Sequence, residues 1–155
     1  MEVIVERAAA LDVHKAQVTA CVRMPAGKRG RGRGQEVAEF RSTVQGLLAL
    51  HDWLSAHHVT QVAMEATGVY WKPVWAILEE DFETLLVNAH HVKQVPGRKT
   101  DVCDAAWLCQ LAEAGLLRAS LVPPKPIRAL RLLTRYRKTQ VSERQREANR
   151  LHKAP

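Results

Sequence analysis

Two acidic residues stand inside apolar, strand-forming segments of this 155-residue chain. Asp12 lies between Leu11 and Val13, and Glu65 follows the apolar residues 62–64. A charge in such a segment is costly unless a cation or a metal ion offsets it. We therefore interpret both carboxylates as functional groups with a partner.

A second pair of acids, Asp101 and Asp104, lies three residues apart at the start of a predicted helix. Their side chains share one face near the positive end of the helix dipole. Acids are common in a first helical turn as capping and dipole residues, so the structural interpretation is favoured for this pair alone. Together with the two strand acids, however, the pair could complete a site made only of carboxylate oxygens.

Such a set of hard oxygen donors predicts Mg²⁺, with Mn²⁺ as its substitute. Zinc is disfavoured because the sequence has no CxxC pair and no HxxxH pattern. Two ions about 4 Å apart can activate an attacking oxygen and stabilise a leaving one during in-line phosphoryl displacement. The predicted chemistry is therefore cleavage of phosphodiesters.

The elements that must position these acids follow from the apolar pattern. It predicts strands over 8–13, 17–22, 36–40, 59–65 and 84–88, and helices over 42–58, 70–80 and 101–114. The order β-β-β-α-β-α-β-α is typical of a mixed α/β sheet with right-handed crossovers. In such a sheet the first and fourth strands can be neighbours, which would let Asp12 and Glu65 face a shared site.

The remainder of the chain is predicted to be a separate segment. Residues 123–126 contain three prolines and are predicted to be non-helical, whereas residues 127–153 lack glycine and proline and predict one long helix. Apolar positions become sparse after Tyr136, so this helix has little to bury and requires a partner or a phosphate backbone. We expect a catalytic domain over residues 1–120 and a linker with a basic helix over residues 121–155.

The net charge of +7 is concentrated in that helix, where residues 125–155 hold ten cations and two acids. A second basic run, with glycines between its cations, covers residues 27–34. Both suit a nucleic acid, although a solubilising loop and a solvated helix face are the alternatives. The cation pair at 98–99 could neutralise a scissile phosphate or form salt bridges with the neighbouring acids. The candidate nucleic-acid contacts are Lys28, Arg29, Arg31, Arg33, Arg98, Lys99, Arg131 and Arg135.

No segment approaches the roughly 18 consecutive apolar residues of a membrane span, and the acidic N-terminus does not look like a signal peptide. The sequence therefore predicts a cytoplasmic protein without a membrane partner.

Five segments carry a family pattern. They are ALDVHK at 10–15, MEATGVYW at 64–71, VNA at 87–89, KTDVCDA at 99–105 and the basic segment from 128 to 153. In these residues the chain resembles the DEDD transposases of bacterial insertion sequences, the IS110 group. The resemblance spans nearly the whole chain, and MEATG and KTDxxDA in this order are specific to the family.

The resemblance implies an RNase H-like fold of the RuvC type, followed by a long C-terminal helix. It implies that Asp12, Glu65, Asp101 and Asp104 are the quartet that binds Mg²⁺. Members of this family are DNA transposases, site-specific recombinases guided by an RNA that the element encodes. The basic helix resembles the linker that assembles protomers into a dimer or tetramer by coiled-coil packing.

The family's covalent nucleophile is a serine in a C-terminal domain, and neither Ser120 nor Ser142 matches its motif. The chain stops in helical sequence without a helix stop signal, so we expect a shortened chain that is incomplete for catalysis.

Two other classes of function compete with this interpretation. A noncatalytic RNA- or DNA-binding module would explain the basic segments and the missing nucleophile. A sugar-kinase or actin-like phosphotransferase also has an acid on its first strand, but it needs two such domains and glycine-rich phosphate loops. The length and the charged glycine-arginine run disfavour the phosphotransferase.

Overall fold

A computed structural model describes residues 2–27, 32–66, 68–95 and 104–154. The chain divides into two compact units, Met1–Ser120 and Leu121–Pro155.

The first unit is built on one five-stranded mixed sheet with the strand order β3-β2-β1-β4-β5. Strand β2 runs antiparallel to both of its neighbours, and β4 and β5 run parallel to β1. This is the RNase H-like arrangement, so the predicted fold class is confirmed, as is the pairing of the first strand with the fourth. The strands are β1 Ala8–Val13, β2 Gln17–Pro25, β3 Arg33–Arg41, β4 Gln61–Glu65 and β5 Glu83–Val87.

Helices cover both faces of this sheet. The helices of the first unit are α1 Val44–Ala56, α2 Trp71–Leu78, α3 Ala89–Gln94 and α4 Asp104–Glu113. Thr43 caps α1 by accepting a hydrogen bond from the Gly46 N–H. The Trp53 ring of α1 contacts Phe40 of β3, while α4 packs on the opposite face of the sheet against β1 and β2.

Small side chains allow α4 to lie close to the sheet. Successive residues of a strand point to opposite faces, so Ala8 and Ala10 of β1 share one face. Both are fully buried, together with Ala63 of β4 and with Ala105 and Ala112 of α4. Because β1 contributes only alanines at these positions, α4 approaches this strand closely, and its position is sensitive to added volume.

The last residue of α4 anchors the helix to three other segments. The Glu113 carboxylate is buried, with Oε1 lying 2.9 Å from Arg23 Nε of β2 and Oε2 lying 3.1 Å from Arg33 Nη2 of β3. The Arg23 contact is an ion pair without hydrogen-bond geometry. The Glu113 backbone carbonyl also accepts hydrogen bonds from the N–H groups of Ile4 and Val5. One residue thus holds two strands and the N-terminal segment.

Beyond Glu113 the chain reverses through Gly115. This residue has φ +65°, which a glycine adopts without strain. The Leu116 N–H donates to the Leu111 carbonyl and the Gly115 N–H to the Ala112 carbonyl, as in a Schellman motif. The sequence prediction of Gly115 as the stop of this helix is confirmed.

In the sheet domain, the structure differs from the predicted elements after strand β5. Helix α3 was not predicted, because six residues are too few to show helical periodicity. Asn88 accepts a hydrogen bond from the His90 N–H and caps this helix, instead of ending strand β5. Thr100, the predicted cap of the last helix of the sheet domain, lies outside the described residues.

The second unit contains helix α5, Lys125–Lys153, which has no buried residue within it. The helix begins at Lys125 and includes Pro126, so the prediction that residues 125–126 are non-helical was wrong. Proline is tolerated in a first turn because its missing N–H would have no helical partner there. None of the helices in the described residues is long and apolar enough to cross a membrane.

Replacing Glu113 by glutamine should lower the free energy of unfolding by about 3 kcal/mol, because Arg23 and Arg33 would lose their buried counter-ion. Urea unfolding followed by circular dichroism measures this change. The matched control is Glu147→Gln, which removes an exposed ion pair with Arg150 and should cost less than about 1 kcal/mol. Equal losses in the two variants would contradict a central role for Glu113.

His57 predicts a pH dependence of stability. Its Nδ1 lies 2.7 Å from the Trp53 carbonyl and its Nε2 lies 2.9 Å from Glu36 Oε2, and only the doubly protonated ring can donate to both. These contacts, the Trp53 carbonyl first, raise the pKa of His57. The folded protein therefore holds this proton more strongly, so the stabilisation is complete below about pH 6.5 and is lost as the pH rises through the folded-state pKa.

In the His57→Gln variant, the free energy of unfolding should decrease less steeply above about pH 6.5 than in the wild type. Glu36→Gln removes one of the two acceptors and should give an intermediate slope. Urea unfolding at a series of pH values measures the slopes, and identical slopes in wild type and His57→Gln would refute the assignment.

Candidate functional site

Asp12 and Glu65 occupy corresponding positions on neighbouring parallel strands. Leu11 of β1 pairs with Met64 of β4, so these two acids come one residue later on each strand. Neighbouring strands are about 4.8 Å apart, and residues in register on parallel strands point to the same face. The two carboxylates therefore lie side by side at the carboxyl ends of β1 and β4, on the face that α4 covers.

Neither carboxylate is as deeply buried as the apolar segments suggested. The Asp12 side chain is 27% exposed and Glu65 is half-buried, because both are at or next to the last residue of a strand. This position explains how a charge is accommodated in apolar sequence: the strand is buried, and its end opens toward solvent. The end of a sheet is also where a substrate can reach the acids.

His14, a residue without a predicted role, contacts Asp12. Its Nε2 lies 3.0 Å from Asp12 Oδ2, and because the carboxylate can only accept, the imidazole donates. The two residues are two apart at the end of β1, and that spacing, visible in ALDVHK, was the signal that could have identified the pair. His14 is more than half exposed, so this partner orients one Asp12 oxygen without burying it.

Asp104 is the first residue of α4, and the direction of that helix places it at the same end of the sheet. The Cys109 thiol donates to the Ala8 carbonyl at 3.3 Å, and Glu113 contacts Arg23, which pairs with Ala8. The C-terminal half of α4 therefore lies over the beginning of β1, and the helix runs back along the strand toward Asp12. Asp104 itself is exposed.

The predicted quartet is thus brought together in part. Asp12 and Glu65 are adjacent, and the Asp104 end of α4 points to their end of the sheet, whereas Asp101 lies outside the described residues. Within the described ranges, no group of three or more His, Cys, Asp or Glu side chains is close enough to hold a metal ion. The oxygen-only donors nevertheless fit Mg²⁺ in their chemistry.

The predicted nucleic-acid contacts separate into three groups. Lys28, Arg29, Arg31, Arg98 and Lys99 lie outside the described residues. Arg131 and Arg135 are exposed, four residues apart on α5.

The third group is Arg33 alone, whose guanidinium binds Glu113 and the Glu6 carbonyl. The Arg33 side chain is only 18% exposed. The structure therefore gives it a stabilising contact, and its contact with nucleic acid stays a prediction.

Comparison with known proteins identifies one family. The model of the DEDD transposases of the IS110 group, described as "Transposase", matches residues 9–154. No curated protein matches the chain.

Two solved structures are similar in architecture. One is Thermus thermophilus RuvC, with 17% identity and a TM-score of 0.44 over 77% of this chain and 85% of that chain. The other is T. thermophilus RuvC in complex with a Holliday junction substrate, with 14% identity and a TM-score of 0.45 over 74% of this chain and 99% of that chain. Similarity at this level does not extend to a shared function.

The close contact between α4 and β1 leads to a testable prediction. Ala10→Leu would insert a larger side chain into a fully buried position beneath α4, and overpacking of this kind costs about 1–3 kcal/mol of stability. Because the helix has to move outward, amide hydrogen exchange should accelerate in α4. Ala20→Leu, buried on the opposite face of the sheet, is the matched control and should leave exchange in α4 unchanged. Equal acceleration of α4 in both variants would contradict the direct contact.

Proposed function

Because the chain belongs to the DEDD transposase family of the IS110 group, we propose that its sheet domain carries out metal-dependent phosphodiester cleavage for transposition. The family places the protein among DNA transposases and recombinases. The proposal adds that Asp12 and Glu65 are the metal-binding core of the catalytic site.

One observation carries this proposal: two acids lie in register on adjacent parallel strands, at the end of the sheet. Like charges about one strand spacing apart repel each other, and a cation bound by both carboxylates would relieve this repulsion. Asp12 and Glu65 would hold Mg²⁺, with Asp101 and Asp104 as the further carboxylate ligands. The bound ion would supply activation of the attacking oxygen and stabilisation of the leaving oxygen.

The described residues supply the positioning around the metal ligands. Strands β1 and β4 fix the spacing of the Asp12 and Glu65 backbones. His14 holds one Asp12 oxygen, and the alanine contacts of β1 set the height of α4, and with it of Asp104, above the sheet. The ligand geometry of a metal site is well defined when the ligands come from such rigid elements and are themselves hydrogen-bonded.

DNA is the proposed substrate, with an element-encoded guide RNA as a second partner. Helix α5 supports nucleic-acid binding because Arg131 and Arg135 are exposed on it. Cations on an exposed helix bind phosphates by counterion release, without a defined base sequence. The cations at 28–31 and at 98–99 are proposed to bind the same strands.

Assembly into a dimer or tetramer through α5 is part of the same proposal. Leu130, Leu133 and Tyr136 lie within two turns of α5, at helical spacing, and each is more than half exposed. Packing against a second copy would remove this apolar surface from water. Strand transfer additionally requires the serine nucleophile that the family resemblance implies. We also propose a cytoplasmic location for the protein.

A binding-only module is the second candidate. The observation that favours it is the basic and exposed helix α5. In that case the acids would be structural and the protein would bind nucleic acid without cutting it.

Calorimetric titration with Mn²⁺ and Mg²⁺ tests the proposal. Asp12→Asn and Glu65→Gln should each weaken metal binding at least about tenfold, since each removes a charged ligand oxygen. The matched control is Asp52→Asn, which removes the same charge from a side chain that is 86% exposed and should bind the metal as the wild type does.

The titrations should be repeated with branched DNA, because a second ion often needs a substrate phosphate as its ligand. Binding of DNA in the presence of a chelator, lost on deletion of residues 125–155 and without metal heats in any mixture, would favour the binding module.

A further inference from the structure

A cavity of about 330 Å³ lies in the sheet domain beside the end of β5. Its volume falls within the range of small-molecule sites, about 300–1,000 Å³. Three apolar side chains, Val87, Val92 and Leu117, form walls of the cavity. We call it the α3 cavity because helix α3 supplies three of its eight lining residues.

Three polar side chains also line the α3 cavity: His91, Gln94 and Arg118. All three are exposed, so the cavity is open to solvent where they stand. No acid lines it among the described residues. Each of the three can donate a hydrogen bond, and Arg118 carries a positive charge. A flat apolar group with acceptors on its edge and a phosphate nearby matches this lining.

The α3 cavity is close to the candidate site. Val87 pairs with Glu65 across strands β4 and β5, and it shares with Glu65 and Asp12 the face of the sheet that α4 covers. With strands about 4.8 Å apart, Val87 lies about 5 Å from the Glu65 backbone and about 10 Å from that of Asp12. The Val87 wall of the cavity therefore lies within about two strand spacings of both acids.

Residues 116–118, which follow α4, form the wall of the cavity that α3 does not supply. The Schellman turn at Gly115 directs residues 116–118 back toward the sheet, where Val87 bridges Ala119 and the Ser120 N–H donates to the Leu86 carbonyl at 2.7 Å. Leu117 and Arg118 are thus held by backbone contacts on both sides. The cavity is a built part of the sheet domain, with one wall from α3 and one from the segment that follows α4.

We propose that the α3 cavity accepts one unpaired base of the DNA strand that is cut at Asp12 and Glu65. The inference rests on the proposed function and deepens it by assigning a base-binding site next to the scissile phosphate. The base contacts the partly exposed apolar side chains Val95 and Leu117. The acceptors of the base edge bind Gln94 and His91, and Arg118 contacts the adjoining phosphate. Enzymes that hold an extruded base use this combination of apolar walls and polar groups at the base edge.

The test is a double-mutant cycle between base and cavity. A branched DNA with a short unpaired strand is prepared with the intact sequence and with single abasic sites at successive unpaired positions. Affinity for the full chain is measured by fluorescence anisotropy in chelator, so that the result does not depend on metal binding. The variants are Leu117→Trp, which fills the cavity, and Arg118→Gln. Arg41→Gln is the matched control, because Arg41 is exposed on β3 at the opposite edge of the sheet.

At one position, the abasic site should weaken binding to the wild type about fivefold or more, as expected for one lost base contact. Leu117→Trp should weaken binding to intact DNA to a similar extent and abolish the effect of the abasic site. Arg118→Gln should weaken binding more than Arg41→Gln at the same salt concentration. If Leu117→Trp does not fold, as judged by circular dichroism, the comparison of the two arginine variants still decides the question.

The inference is overturned if no abasic position matters or if Arg118→Gln and Arg41→Gln bind DNA equally. It is also overturned if the abasic effect persists in folded Leu117→Trp. Any of these results with normal DNA binding by the wild type leaves the proposed function standing. Lack of DNA binding by the wild type, in contrast, would overturn the proposed DNA substrate as well.

Discussion

The sheet domain depends on the contact between α4 and the alanine face of β1. Ala8 and Ala10 carry so little volume that the helix lies directly on the strand, and Glu113 holds its far end through two arginines. A longer side chain at either alanine would separate the two layers. Because Asp104 begins this helix, the same packing that stabilises the core also determines how far that carboxylate lies from Asp12.

The candidate site follows from how a parallel sheet ends. Hydrogen bonding between β1 and β4 fixes their register, so the residues after Leu11 and Met64 must be neighbours. Because both of those residues are acids, the sheet holds two negative charges together at the carboxyl ends of β1 and β4. Such a concentration of like charge is unfavourable for folding but is suited to binding a cation, which is the usual compromise between stability and function at a catalytic site.

The two units of the chain use charge in different ways. In the sheet domain, Arg23 and Arg33 face Glu113 and contribute to stability, whereas Arg131 and Arg135 on α5 face solvent. A cation that is already paired with an acid inside a domain gains little binding free energy from a phosphate. An exposed cation retains its full attraction for the phosphate. Sequence counts of lysine and arginine cannot make this distinction, since it depends on which acid is brought beside each cation.

Local patterns in the sequence determined the strands, most of the helices and the choice of Asp12 and Glu65, because a charge inside an apolar strand is visible without knowing the fold. They also determined the family, through MEATG and KTDxxDA. Only the tertiary structure decided that the two acids are adjacent. It alone paired Arg33 with Glu113 and formed a cavity from α3 and residues 116–118. These outcomes depend on contacts between residues far apart in the chain, which are set by strand register and helix packing, and local periodicity does not encode them.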